Sequence, residues 1–206
     1  MLDKRHERHQ LRKSLRERRR ALSVTEQELA SKNIVRLLRQ QLFFIRAKSV
    51  AIYWPYDGEV SILDFALNQQ MHHQHNQEKS WLLPILSNVV RPWLAPELYF
   101  QSFSKNSLLR PNQYGIPEPK FTPCNQHDSS MLDVVLLPLV GFDRSGNRLG
   151  MGKGYYDRTF RSSRTTWRKP RLIGIAHSIQ EVDQIGHQSW DIPLTAIVTE
   201  KELIVC

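Results

Sequence analysis

An α/β fold is what this 206-residue chain predicts: a largely parallel central sheet flanked by helices in a Rossmann-like three-layer arrangement, with a basic helix at the N-terminus. Three observations lead there. Short apolar runs alternate along the chain with segments of helical period, the pattern of βα units. The runs are nearly continuous rather than alternating with polar residues, as strands covered on both faces are. The strongest of them, residues 133–139, leads into a glycine-rich loop that opens a helix, and such folds take their ligands at strand ends of this kind. The length suits one domain over residues 1–206 with its own core.

Residues 4–20 form the first helix, since they lack Gly and Pro and are rich in Arg, Leu and Glu. Leu11, Leu15 and Leu22 fall within about 40° of one another on a wheel of 3.6 residues per turn. Arg8, Arg12, Arg16 and Arg19 flank that stripe. Ser23 and Glu26 make a capping-box pattern, and Ile34, Leu38, Leu42 and Ile45 extend a second helix to about residue 46. Residues 49–54 are β-branched and aromatic and read as a strand stopped by Pro55. Ser61 then caps a helix to about residue 70. Residues 81–86 and 97–103 are further strands. Residues 104–130, rich in Pro, Asn, Gln and Ser, read as a long irregular excursion. After the strand at 133–139 and the glycine-rich loop, a helix is expected at about 154–161, and strands at 171–176 and 195–199 close the sheet.

Composition narrows the function. The longest apolar run, 134–140, is too short to span a bilayer and contains Pro138, so no membrane association is expected. No apolar segment follows the basic N-terminus as in a signal peptide. Cys124 and Cys206 have neither metal-ligand nor disulfide spacing, which fits a reducing compartment, and a cytoplasmic monomer is expected. Of the net charge of +9, most sits in residues 3–20, where nine basic side chains face three acidic ones. An arm of this kind suits nucleic acid, and it suits a small polyanion such as a nucleotide triphosphate equally well. On the residues alone, the flanking arginines either hold phosphates or merely solvate the helix while their stems cover apolar surface.

The chemistry concentrates in residues 138–157. Gly150, Gly152 and Gly154 alternate, which lets backbone amides approach a ligand, and the start of the next helix adds a partial positive charge. Lys153 and Arg148 supply full charges, and Asp157 is placed to hold a cation bridging phosphates. This is neither of the common nucleotide fingerprints. Gly146 to Gly152 is one residue too long for a Walker A loop, Gly154 stands where Ser or Thr is required, and the spacing is not that of a dinucleotide fingerprint.

The run Gly141-Phe-Asp-Arg-Ser-Gly-Asn-Arg-Leu-Gly-Met-Gly-Lys-Gly-Tyr-Tyr-Asp157 resembles the signature of the 5-formyltetrahydrofolate cyclo-ligase family, also called methenyltetrahydrofolate synthetases. Arg8-His-Gln-Leu-Arg-Lys13, Tyr53-Trp-Pro-Tyr-Asp-Gly-Glu59, Gly115-Ile-Pro-Glu-Pro119 and Trp190-Asp-Ile-Pro-Leu-Thr-Ala-Ile-Val-Thr199 resemble further pieces of the family in the expected order. The resemblance implies an enzyme that converts ATP and 5-formyltetrahydrofolate to 5,10-methenyltetrahydrofolate, ADP and phosphate. It implies an ATP site at Arg8, Arg12 and Arg148, Leu149, Gly150, Met151, Gly152, Lys153, Gly154, Tyr155 and Tyr156. It implies a folate site at Trp54 and Glu59, with Met151, Gly152, Lys153, Gly154 and Tyr155 lining the same cleft. Lys153, Tyr155 and Arg148 become the catalytic candidates, and Asp157 and Asp191 the carboxylates associated with Mg2+. Arg8 stands where the family usually has Lys, and some relatives have Gly at the position of Lys153.

Other features compete. His72, His73 and His75 read either as a solvated loop or as metal ligands that lack a visible fourth partner. His177 follows a strand end, and Cys124 has no identifiable base. A nucleic-acid-binding arm is the rival from another class, yet no helix-turn-helix, zinc-finger or RNP pattern occurs. A phosphotransferase or CoA-handling enzyme on a similar sheet is the other rival, which fold analogy does not exclude.

Overall fold

The computed structural model describes residues 2–71, 79–86, 97–161 and 169–206. Its strands in the first half are β1 (Ser49–Ala51), β2 (Ser80–Leu86), β3 (Leu98–Ser102), β4 (Leu109–Pro111), β5 (Pro117–Pro119) and β6 (Gln126–His127). The second half contributes β7 (Val134–Pro138), β8 (Gly141–Phe142), β9 (Arg148–Leu149), β10 (Arg171–Ile175), β11 (Ala196–Val198) and β12 (Leu203–Val205). The helices are α1 (Leu2–Arg20), α2 (Val24–Arg39), α3 (Leu42–Ile45), α4 (Leu63–Met71) and α5 (Tyr155–Thr159).

Eight strands form one sheet in the order β12-β11-β10-β7-β1-β2-β3-β6. The five central strands, β11 to β2, are parallel; β12 and β3 run antiparallel to them, and β6 pairs antiparallel with β3 at the edge. The sheet is therefore mixed rather than parallel throughout. The near-continuous apolar runs predicted the centre correctly, because successive residues face opposite layers. In β7, Val134 and Leu136 point to one core and Val135 and Leu137 to the other. Ile34, Leu38, Phe44 and Ala66 from α2, α3 and α4 cover the first face. Phe160, Ile192 and Leu194 cover the second, with Tyr155 and Tyr156 packed against them.

From β1 the chain builds outward through β2, β3 and β6, then returns to the other side of β1 and builds through β7, β10, β11 and β12. The direction reverses between β1 and β7, and a crevice opens at the carboxyl ends of such neighbouring strands. Helix α1 lies beside it, with Leu15 buried among Val140, Leu149 and Ile185.

Several boundaries differ from expectation. The second helix stops at Arg39, and α3 follows only after Gln40 and Gln41. The break changes which side chain turns inward: Phe44 is buried, while Leu42 and Ile45 remain exposed. Ser61 is not the cap of α4, because the carbonyl of Ile62 accepts the first helical N–H, from Ala66, at 3.1 Å. The expected irregular excursion contains the β4–β5 hairpin and the edge strand β6. Strands of two or three residues, several of them proline, carry no periodic signal. The helix at 154–161 shrinks to five residues, α5. The His72, His73 and His75 cluster lies outside the described residues.

Leu15 is 1% exposed and is the main apolar anchor of α1. Leu15→Ala is expected to cost about 3 kcal/mol in urea unfolding. A loss under about 1 kcal/mol would show that α1 is too loosely docked to shape the crevice.

Candidate functional site

The crevice is a cleft of about 910 Å³. Its floor comes from the strand ends: Tyr53 and Trp54 after β1, Leu83, Pro84 and Leu86 of β2, and Pro138 and Leu139 at the end of β7. One wall is the glycine-rich loop from Gly150 to Tyr156, and Arg8, Arg12 and Arg16 of α1 form another. The hairpin residues Asn112, Tyr114, Ile116 and Glu118 close a third side.

Helical spacing aligns the α1 arginines, since residues three and four apart share a face. Arg8 donates to the Gly186 carbonyl at 2.7 Å and stands 3.7 Å from Asp191. Arg12 donates through Nε to the Gly150 carbonyl at 2.8 Å, tying helix to loop. Burial and the neighbouring charge of Arg8 lower the pKa of Arg12, a local excess of positive charge that an anion would relieve. Gly152 has φ of +91° and lies beside the Arg12 guanidinium, so the loop approaches the helix through a conformation that side chains rarely adopt.

Arg148 is only 8% exposed, and its guanidinium is engaged by the Asp157 carboxylate and the Ile192 carbonyl. It lines the cleft with its charge paired to Asp157. Asp157 also accepts the Ile192 N–H at 3.2 Å, and Asp191 accepts the Gln188 N–H at 3.1 Å. The two carboxylates share the cleft and are hard oxygen donors, each beside an arginine. Among the described residues, no three His, Cys, Asp or Glu side chains gather as a metal cluster.

Tyr155 shares a 2.9 Å hydrogen bond with Tyr114, and the Arg158 guanidinium lies 5.4 Å from the Tyr155 ring. Burial and the hydrogen bond shared with Tyr114 push the Tyr155 hydroxyl up to about 12, so it is a proton donor rather than a base at neutral pH. Burial raises Tyr156 as well. Trp54 packs edge-on against Phe103, with ring centres 6.4 Å apart.

Glu59 is 9% exposed. Burial raises its carboxyl to about 7, although the charge of Arg19 and the hydrogen bond from the Tyr56 N–H pull the other way. Asp57 behaves oppositely. Burial would raise it, yet hydrogen bonds from Arg16 and Arg20, with the charges of Arg16 and Arg19, hold it below the usual carboxylate range.

Of the residues singled out from sequence, Arg8, Arg12, Trp54, Glu59, Arg148, Gly150 to Asp157 and Asp191 all border this cleft. Leu149 is the exception: its side chain is fully buried with Leu15, so it offers a ligand no side-chain contact. Lys153 and Met151 are exposed at the mouth. His177 is buried, its Nε2 lies 3.3 Å from the Gly58 carbonyl, and burial lowers its pKa; it supports the turn before Glu59. Sequence reasoning missed Arg16, Arg19 and Asp57 as one ion-paired group. It also missed Tyr114, Asn112 and Glu118, although the recognised Gly115-Ile-Pro-Glu-Pro119 turn pointed to their segment.

A model of the 5-formyltetrahydrofolate cyclo-ligase family matches residues 4–200. The chain is 34% identical over 193 residues to the 5-formyltetrahydrofolate cyclo-ligase of Haemophilus influenzae, covering 93% of this chain and 96% of that one. The Escherichia coli 5-formyltetrahydrofolate cyclo-ligase is 34% identical over 191 residues, covering 92% and 98%. Among solved structures, the 5,10-methenyltetrahydrofolate synthetase of Aquifex aeolicus superposes with a TM-score of 0.76 at 30% identity, over 96% of this chain and 92% of that one. The Mycoplasma pneumoniae 5,10-methenyltetrahydrofolate synthetase gives 0.69 at 27% identity, over 94% and 98%. Among the described residues, no helix is long and apolar enough to cross a membrane.

The raised Glu59 pKa sets a pH dependence with a definite sign. Between its ordinary value of 4.5 and about 7, the folded protein holds a proton that the unfolded chain has released. Stability therefore falls as pH rises through that window, and the full penalty stands above it. Glu59→Gln lacks the penalty, so its stability relative to the parent is expected to rise by on the order of 3 kcal/mol from pH 4.5 to pH 8. Equal differences at both pH values would refute the buried-carboxyl assignment.

Proposed function

The chain belongs to the 5-formyltetrahydrofolate cyclo-ligase family, and from that membership we propose that it uses ATP to cyclise 5-formyltetrahydrofolate to 5,10-methenyltetrahydrofolate, releasing ADP and phosphate. The observation that carries the ATP half of this reading is the junction of Arg12 with Gly150, which sets two α1 arginines against the glycine-rich loop. The folate half is supported by Trp54 and Glu59 on the opposite side of the same cleft.

The formamide oxygen on N5 is a poor leaving group, so N10 does not displace it directly. In the proposed sequence the formyl oxygen attacks the γ-phosphorus, the bond from that phosphorus to the bridging oxygen breaks, and ADP leaves. N10 then attacks the activated carbon, its proton passes to solvent, and phosphate departs with the former formyl oxygen. The protein's part is alignment and charge stabilisation. Arg8, Arg12 and Lys153 neutralise the phosphates, and the Gly150–Gly154 backbone approaches them closely. Arg148 acts mainly by holding Asp157 and the Ile192 segment in place, which modifies the catalytic role expected for it. The Tyr155 hydroxyl stays protonated and donates to developing negative charge. Glu59 accepts hydrogen bonds from the pterin ring, and Trp54 covers its apolar face.

Asp157 and Asp191 fit Mg2+ by donor type, because magnesium commonly takes one or two protein carboxylates and fills its shell with phosphate oxygens and water. Such an ion would supply charge neutralisation at the phosphates. The exposed, free Cys124 and Cys206 fit a reducing cytoplasm, and we extend the proposal to a cytoplasmic monomer acting as one domain.

The test is growth of the near-ultraviolet band of the methenyl product when protein, 5-formyltetrahydrofolate and Mg-ATP are mixed, with ATP omitted as the control. Tyr155→Ala and Asp157→Asn are each expected to lower turnover about a hundredfold or more while the protein stays folded. Arg12→Ala is expected to raise the KM for ATP about tenfold. Product formed without ATP, or none formed by folded protein with it, would sink the reading.

A further inference from the structure

Arg19 has a position that the ATP and folate roles do not explain. It is on the helix that carries Arg8 and Arg12, yet it is 1% exposed and buried beneath the cleft. Its Nε donates to the Asp57 carbonyl at 2.9 Å, Nη2 to the Asp57 carboxylate at 2.9 Å, and Nη1 to the Leu139 carbonyl at 3.0 Å. One guanidinium thus joins the turn after β1 to the end of β7, across the point where the order of strand addition reverses. The turn it grips is strained: Asp57 has φ of +56° and Gly58 follows at +79°. A Cβ on Gly58 would lie 3.4 Å from the Arg19 carbonyl oxygen, so the turn rests directly against the helix.

The next residue is Glu59. Its Oε2 accepts the Tyr56 N–H at 3.1 Å, and its Oε1 faces Arg19 Nη1 at 3.8 Å. That second distance is too long for a hydrogen bond. Arg19 spends its directional bonds on Asp57 and Leu139 and acts on Glu59 as a nearby charge, and Glu59 itself lines the cleft. A bidentate pair would have consumed the carboxylate instead. Well-packed apolar side chains often serve stability as well as a buried ion group does, so stability alone gives little reason to keep this one.

We propose that Arg19 is a positioning residue: by clamping the Asp57–Gly58 turn to α1 and to the end of β7, it holds the Glu59 carboxylate oriented for the folate ring. The proposal rests on the reading of Glu59 as a folate-binding group. It makes α1 bifunctional, with Arg12 serving the nucleotide and Arg19, seven residues on and about 10 Å along the axis, serving the folate.

Arg19→Lys keeps the charge but has no fork to reach Asp57 and Leu139 together. The full-length variant is assayed with 5-formyltetrahydrofolate and Mg-ATP, alone and combined with Glu59→Gln. The KM for folate is expected to rise about tenfold, with kcat and the KM for ATP within about threefold of the parent. In the Glu59→Gln background, the same substitution is expected to change the folate KM less than about twofold, because the group it positions is already altered. Asp57→Asn is expected to reproduce the pattern more weakly, and it carries the test if Arg19→Lys does not fold. An undiminished effect of Arg19→Lys in the Glu59→Gln background would reduce Arg19 to a structural residue. A raised folate KM in Glu59→Gln with an unchanged one in Arg19→Lys would overturn the positioning role alone. An unchanged folate KM in Glu59→Gln would remove the premise and the proposal with it.

Discussion

Leu15 of α1 sits over Gly141, where a Cβ would come within 2.5 Å of the leucine Cδ1, so the lack of a side chain there lets the helix pack close. The close seat sets the height of α1 above the strand ends. From it follow the 2.8 Å contact of Arg12 with the glycine-rich loop and the reach of Arg19 to Leu139. A helix held a few ångströms higher would leave the arginines in solvent, where an exposed ion pair is worth little. The apolar contact thus determines what the polar groups are able to do.

Burial also divides the charge of α1 into two portions. Arg16, Arg19 and Arg20 converge on Asp57, a single carboxylate at a strained turn. Arg8 and Arg12 instead face the loop, with Asp191 as the nearby acid. Arg8 and Arg12 thereby form a small cationic site directed at the loop. The surplus charge of α1 read from sequence was real, but Arg16, Arg19 and Arg20 are occupied in holding the turn at Asp57.

Much of this was legible in the residues. The both-face burial of β1, β2, β7, β10 and β11 followed from their unbroken apolar runs, and the cleft followed from strand–loop–helix order. What escaped did so for physical reasons. The two-residue and three-residue strands β4, β5, β6, β8 and β9 are set by cross-strand partners, which a local pattern does not encode. Arg19 looks like its neighbours along the chain, and only the third dimension shows that it points at Asp57, 38 residues away. Leu149 turns its side chain into the core beneath α1, because alternate residues in a strand such as β9 face opposite ways, which a contiguous motif does not reveal. Tyr114 reached Tyr155 through a hairpin that looked irregular.

The distribution of unfavourable features carries the last step. A non-glycine residue at positive φ, a carboxyl raised to about 7 and a fully buried guanidinium all occur between residues 19 and 59, around one turn. Elsewhere the two cores are conventional, with aliphatic and aromatic side chains on each face of the sheet. Strain and buried charge persist where surrounding structure over-determines them, and here Leu15, the strand ends and His177 supply that constraint. A cleft lined by a partly desolvated carboxyl group is not built from favourable contacts alone. Arg19 joins the turn at Asp57 to the end of β7 and so spans the junction of β1 and β7.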